Sequence, residues 1–534
     1  MRINETIGGG PDSTYWAKRY SATVPNNINN LVIRMHKDRE SDLLPRREFL
    51  GYFAASAALI ASTASSWAAQ STELEAESTA RALHTLADTL EGDLLLPDNN
   101  RFEPMRGLSW NRMLPERRPE VIVMAKSQPD VVATLRFARE QSRQVAVRGG
   151  GHSWCASSLR QGGILLDLSH MRSLAIDAAQ ATATIGPAIQ GAELIDQAAR
   201  HGLMFPVAHC PTVPLSGFLL NGGNGLNFNR LGNASSNVLA IDLVLADGRE
   251  LTVSGEDHAD LFWAARGAGP GFFAVATRYH LKLHPLPSAI TMSTYVFPES
   301  AIGTATELVD SLSATMSRDV SLILSISAPP PEIAADNDSV GVVLAITYSD
   351  TMADAEKALK PLNSDPRVSG AVSSSVNIPT ELNAFLGALG ATLPGGHRAV
   401  VDNIWSNVPL RTMLTGSPAH YATAPSPKSH IIAICFHPDS EFETTSYSWL
   451  GRYLVYNNTV WTDAADDDAN RAWHVGATAL LDPHKIGRYV GETDLTKEAD
   501  VARQCYMPET WERLRALRAA YDPADLFYDY LSLI

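Results

Sequence analysis

Apolar positions along the chain change texture near residue 286, and each texture predicts a different kind of architecture. Before that point, Val131, Val132, Leu135 and Ala138 recur at helical spacing. Val145-Ala146-Val147 follows as a short buried strand that ends at a glycine turn, and Ile164-Leu165-Leu166 is a second strand of the same kind. Ala192 to Arg200 is amphipathic and stops at Gly202, as expected of a helix ended by a residue without a Cβ. Val238 to Ala246 alternates into Asp247-Gly248, a hairpin dipeptide, and Glu250 to Val253 returns as the partner strand.

Beyond Leu286-Pro287 the pattern predicts a helix near Ala301 to Thr315, a strand from Val320 to Ser327, a Pro329-Pro330-Pro331 loop, a strand from Val340 to Tyr348 and a helix near Ala353 to Leu362. This order suits an α+β unit built on an antiparallel sheet. At 534 residues the chain is too long for one hydrophobic core, so two folded domains are expected. With 45% hydrophobic and 19% charged residues it has the composition of a soluble globular protein. Its formal charge of −15, without a basic run, excludes nucleic-acid binding.

The amino end has a different character. Pro45-Arg46-Arg47-Glu48-Phe49-Leu50 precedes an Ala- and Ser-rich stretch from Gly51 to Ser66 that is too short and weakly apolar for a membrane span. It resembles a twin-arginine leader cleaved near Ser66-Trp67-Ala68, although it lacks the usual Ser before the arginines and Lys after Leu50. The 45-residue run before the pair is long for such a leader, which makes Met35 an alternative start. The leader implies export to the periplasm or beyond, without an integral membrane anchor. Four cysteines do not make a disulfide framework.

The chemistry-bearing residues concentrate in two segments. Gly149-Gly150-Gly151 removes three successive Cβ atoms, so backbone N–H groups can approach a diphosphate. His152 follows immediately, and Cys210 comes 58 residues later in His209-Cys210-Pro211-Thr212-Val213. Both are nucleophiles, and an isoalloxazine ring offers two neighbouring electrophilic positions. Arg266-Gly267-Ala268-Gly269-Pro270-Gly271 looks like a dinucleotide fingerprint, but it follows a helical pattern where that motif requires a strand. No His-Glu-x-x-His or paired Cys-x-x-Cys is present, so no metal site is expected.

From Trp110-Asn111 to Pro285 the chain resembles the flavin domain of the berberine-bridge-enzyme-like oxidases, in the vanillyl-alcohol-oxidase or PCMH-type FAD-binding superfamily. The matching pieces are Arg118-Pro119-Glu120-Val121-Ile122-Val123, Arg148 to Ser153, Asp167-Leu168-Ser169, Phe205-Pro206 ahead of Cys210, and Asp260 to Gly267. Tyr521-Asp522-Pro523-Ala524-Asp525-Leu526-Phe527 resembles the family's closing segment.

The resemblance implies an FAD-binding domain over 70–287, a substrate domain over 288–480 whose sheet roofs the flavin, and a returning segment over 481–534, behind a leader over 1–69. It further implies FAD held by Arg148, Gly149, Gly150, Gly151, His152, Ser153, Cys210, Gly217, Gly222, Gly223, Asn224, Gly225 and Val275. His152 would be tethered to the 8-methyl carbon and Cys210 to C6. Cys155 is a rival thiol, too near His152 on one loop to reach a second ring edge.

By the same resemblance Val213 would be the gate for oxygen, its small size favouring an oxidase over a dehydrogenase, with Pro214 standing where the family usually has glycine. Asn224 stands where many plant members carry a tyrosine base. Tyr489-Val490-Gly491-Glu492 resembles the family's Tyr-x-Asn-Tyr. As a strand, it would turn Tyr489 and Glu492 to opposite sides, with Tyr489 in the pocket and a desolvated Glu492 as a base of raised pKa. The function implied is oxidation of an alcohol, carbohydrate or secondary metabolite, with O2 reduced to H2O2. A dehydrogenase using another acceptor and a secreted, non-catalytic flavin scaffold are the alternatives.

Overall fold

The computed structural model describes residues 78–225, 227–334, 338–392, 395–437 and 445–531. The arginine pair at Arg46-Arg47 and the stretch after it lie outside the described residues. From Arg81 onwards the chain is one compact unit, built as an α+β fold on three main sheets.

The first sheet has four strands in the order Asp93–Leu95, Val121–Met124, Ile164–Asp167, Val145–Arg148. Two of its three strand pairs are parallel ladders, Val121–Met124 and Val145–Arg148 both running alongside Ile164–Asp167. Parallel strands need a crossover, and the helix Gln128–Glu140 supplies one. Val131, Leu135 and Ala138 are buried along that helix. At its start the buried Asp130 carboxylate accepts backbone N–H groups of Glu91, Gly92 and Lys126 at 2.8, 3.1 and 2.9 Å.

The second sheet has five antiparallel strands in the order Leu174–Asp177, Thr182–Ile185, Ala274–Lys282, Val238–Leu245, Glu250–Ser254. Its last two strands form the hairpin, which turns through Gly248 at φ 82°. The chain's end joins the first sheet. Phe527 bridges Val145 in parallel, and the Val145 N–H donates to the Leu526 carbonyl at 2.7 Å. Asp522 holds that segment through the N–H groups of Leu526 and Phe527 at 2.8 and 2.9 Å.

The third sheet has seven antiparallel strands in the order Ser373–Pro379, Ala289–Pro298, Val340–Ser349, Val320–Ser327, His430–Cys435, Tyr453–Trp461, Arg398–Ser406. Helices Ile302–Ser313 and Asp467–Leu481 cover one face, with Ile431, Ala433 and Cys435 in the core beneath them. Side chains alternate along a strand, so His430, Ile432 and Ile434 emerge on the other face. That face is one wall of the cavity described next.

Candidate flavin site

A cavity of about 760 Å³ runs from the glycine loop to the uncovered face of the seven-stranded sheet. Two strand-to-loop turns supply its floor. The strand Val145–Arg148 opens into Gly149 to Ser153, and the short strand Leu203–Met204 leads into His209 to Val213. The loops meet through Thr212, whose hydroxyl lies 3.3 Å from His152 Nε2 and 3.3 Å from Cys210 Sγ. Burial lowers the His152 imidazole to about 4, against a hydrogen bond with the Thr212 backbone that raises it. At neutral pH the ring is therefore uncharged and keeps a nucleophilic lone pair.

The glycines serve the loop's own packing as well as any ligand. A Cβ on Gly150 would lie 2.1 Å from Pro214 Cγ, and Gly151 has φ +74° with the Leu108 carbonyl 2.5 Å from where its Cβ would go. Gly149 has ordinary contacts, the nearest being Ser216 Cβ at 3.5 Å, and nothing lies within 4 Å of a Cβ built on Gly217. Those two are the glycines at which missing side chains open the wall. Arg148 also lines the cavity. Its guanidinium is buried against Asp167 and donates to the Met105, Arg106 and Leu108 carbonyls, so its charge is engaged within the protein.

Four expected cofactor residues do not line the cavity. Val275 is buried on the far side of its strand, while Ala274 and Ala276 face the cavity, because neighbours on a strand point to opposite faces. Gly222, Gly223 and Gly225 pack against Tyr447, Phe218 and Pro206. Their turn instead receives two tyrosines. The Tyr447 hydroxyl donates to Asn224 Oδ1 at 2.8 Å, and the Tyr489 oxygen meets the N–H groups of Gly223 and Asn224.

The segment Tyr489 to Glu492 is not a strand. Residues Val490–Glu492 form a 3₁₀ turn, in which positions three apart share a side, so Tyr489 and Glu492 both line the cavity. Asn403 fixes the entry, donating to the Tyr489 carbonyl at 3.0 Å and accepting its N–H at 2.7 Å. Gly491 admits this shape, since a Cβ there would sit 2.7 Å from the Tyr489 ring.

Burial, then the Glu492 charge, pushes the Tyr489 phenol far above its ordinary range. Burial also raises the Glu492 carboxyl, against the neighbouring Tyr456 hydroxyl and Trp154 indole, which lower it. Tyr456, Trp154, Thr212 and Tyr447 are the site residues that sequence reasoning missed. The aromatic, β-branched run from Tyr453 to Trp461 marks a strand, but nothing local to it marks a partner for Glu492. All four cysteines are free. Cys155 lines the cavity with its thiol raised by burial.

These residues fit FAD. Open space lies above Gly217. The buried Asn224 Nδ2 and Asn221 Oδ1 lack partners among the described residues, and both residues are in the wall. The cavity size is that of a ligand pocket, which runs from roughly 300 to 1,000 Å³.

Fold and site together define a flavin-dependent oxidoreductase, and comparison with known proteins agrees. Residues 119–254 match the FAD binding domain family. FAD-linked oxidoreductase ptmO of Penicillium ochrochloron is 31% identical over 434 residues, covering 80% of this chain and 93% of that protein. The chain belongs to the FAD-linked oxidoreductases.

Two solved relatives share the fold. The 6-hydroxy-D-nicotine oxidase of Arthrobacter nicotinovorans superposes with a TM-score of 0.73 at 24% identity, covering 83% of this chain and 97% of its own. Wild-type Phl p 4.0202, a glucose dehydrogenase, and an isoleucine-to-valine variant of Phl p 4, a glucose oxidase, each superpose at 0.70 with 18% identity, covering 82% of this chain and 96% of theirs.

Proposed function

We propose that this FAD-dependent oxidoreductase is an oxidase of an alcohol, carbohydrate or secondary metabolite, with FAD tethered through His152 and Cys210 and Glu492 as the base. The observation that carries the reading is the convergence of Tyr489, Glu492 and Tyr456 on the cavity that His152 and Cys210 also line.

FAD, when bound, supplies a two-electron hydride acceptor at N5. The Glu492 carboxylate takes the proton from the substrate hydroxyl, while the carbon bearing that hydroxyl loses its hydride and becomes a carbonyl. Tyr489 and Tyr456, both held protonated by burial, donate hydrogen bonds and orient the reacting oxygen. Ile323, Val342, Leu344, Ile432 and Ile434 keep water away from it. Oxygen then accepts the two electrons and two protons as H2O2.

Val213 in the cavity wall favours oxygen access. The Phl p 4 pair supports the premise that one methyl group separates the two reactivities, since the variant with valine in place of isoleucine is the glucose oxidase. Neutral His152, sharing Thr212 with Cys210, supports the two tethers.

We also propose that the arginine pair at Arg46-Arg47 directs the loaded protein out of the cell, because a tethered flavin requires a folded site and that route carries folded proteins. A reporter fused after Ala69 and exported only with the pair intact tests it.

For the chemistry, the test is anaerobic bleaching of the flavin by a panel of sugars, alcohols and amines, followed by mixing with oxygenated buffer. Bleaching and fast reoxidation with peroxide release are expected. Slow reoxidation would sink the oxidase in favour of a dehydrogenase. For the tethers, peptide mapping of His152→Ala, Cys210→Ala and the double variant should show flavin released only by the double change; complete release by Cys210→Ala alone refutes the histidyl bond.

A further inference from the structure

One ionisable group in the cavity wall has no part in hydride transfer or in holding FAD. His430 opens the strand His430–Cys435 and lines the cavity. Its Nδ1 lies 2.9 Å from the Lys428 carbonyl. A carbonyl only accepts, so Nδ1 carries the proton and Nε2 is the bare acceptor. Among the described residues Nε2 has no hydrogen-bond partner. Burial lowers the ring's pKa, against that carbonyl contact, and so keeps the acceptor available at neutral pH.

Strand register places this acceptor. Ser327, His430 and Asn458 stand opposite one another across three strands, and Ser325, Ile432 and Tyr456 form the next row. All six line the cavity. Val342 pairs with Ser325, and Leu344 with Ile323. The face is thus polar at the His430 end and largely apolar beyond it, at Val342, Leu344, Ile323, Ile432 and Ile434, and Tyr456, whose hydroxyl feels the Glu492 charge, belongs to the second row. Rows on one face are two residues, or about 7 Å, apart.

We propose that the Ser327, His430, Asn458 row is the specificity site for the far end of the substrate, with His430 Nε2 accepting a hydrogen bond from a hydroxyl or N–H one row of the sheet beyond Tyr456. The class of substrate is therefore an alcohol with an apolar ring or chain between its reacting carbon and a second hydrogen-bond donor. The inference rests on the oxidase reading with Glu492 as base.

The test uses holoenzyme with cyclohexane-1,4-dimethanol and its monomethyl ether, which differ only in the distal donor. His430→Asn keeps a donor for the Lys428 carbonyl and deletes the acceptor. It should raise KM for the diol about tenfold, the effect of one hydrogen bond of about 1.4 kcal/mol, while kcat and the ether's KM hold. His430→Gln, which restores a polar atom near the Nε2 position, should recover part of the loss. Equal effects on both probes, or a fall in kcat alone, would overturn the proposal, as a merely structural role predicts.

Diethyl pyrocarbonate with peptide mapping gives a substrate-free reading, since a bare Nε2 open to the cavity should be acylated in the holoenzyme. No labelling of His430 overturns the proposal and leaves the oxidase reading standing. The same holds if sugars or amines bleach the flavin and neither probe does. If no compound bleaches it, the oxidase reading itself falls.

Discussion

Alanine at Gly150 and alanine at Gly149 are adjacent substitutions in one loop, yet they should fail in different ways. At Gly150 the new Cβ lies 2.1 Å from Pro214 Cγ and 3.1 Å from both Cβ and Cδ of that ring. Carbon atoms in contact normally stand about 3.5–4.0 Å apart, so the ring has to move. It is pinned on both sides. The Val213 carbonyl before it accepts the Gly191 N–H at 3.0 Å, and the Leu215 N–H after it donates to Ile189 at 2.8 Å.

Overpacking of this kind costs about 1–3 kcal/mol, which lowers the melting temperature by a few degrees, at roughly 2–4 °C per kcal/mol even in a smaller domain. At Gly149 the nearest neighbour would be 3.5 Å away, and the cost should stay within about 0.5 kcal/mol. Its methyl group instead projects beside Ser216 and Gly217 in the cavity wall, so G149A should incorporate less flavin, while its flavin-free form stays as stable as flavin-free wild type. Thermal melts, together with flavin absorbance per mole of purified protein, separate the two effects. G150A melting with wild type, or G149A melting below G150A, would refute the packing argument.

Three further outcomes follow from the site. E492Q should slow anaerobic flavin reduction by about 10²–10⁴, the usual worth of a general base. Because burial raises the Glu492 pKa and only the carboxylate accepts a proton, the wild-type rate should climb as pH rises through that raised pKa and then level off. The variant should show no such limb. V213I should leave anaerobic reduction unchanged and slow reoxidation by oxygen on the order of tenfold, about 1.4 kcal/mol on the barrier, measured by stopped flow. R148M strands the Asp167 carboxylate, whose side chain is 0% exposed, and should cost about 3–5 kcal/mol in urea unfolding.

The sequence by itself determined the local pieces. The apolar run at Val145, the glycine turn after it, the alternation from Val238 with its Asp247-Gly248 turn, and the strand at Val320–Ser327 are dictated by contacts within a few residues, and the structure contains each of them. The two loops that carry His152 and Cys210 were legible for the same reason, and the structure brings both residues to one cavity. Short-range rules also misled. Tyr489 to Glu492 looks extended, but the glycine at 491 and the clamp from Asn403, a residue far back in the chain, bend it into a 3₁₀ turn that brings both side chains to one wall. Val275 lies on the correct strand, and the pleat turns it away.

Only the tertiary structure decided what stands opposite Glu492. Tyr456 and His430 reach the cavity because two antiparallel ladders set their register, and Tyr447 reaches Asn224 from more than two hundred residues away. Such pairings are fixed by the closure of whole sheets over a core, which no window of neighbouring residues contains.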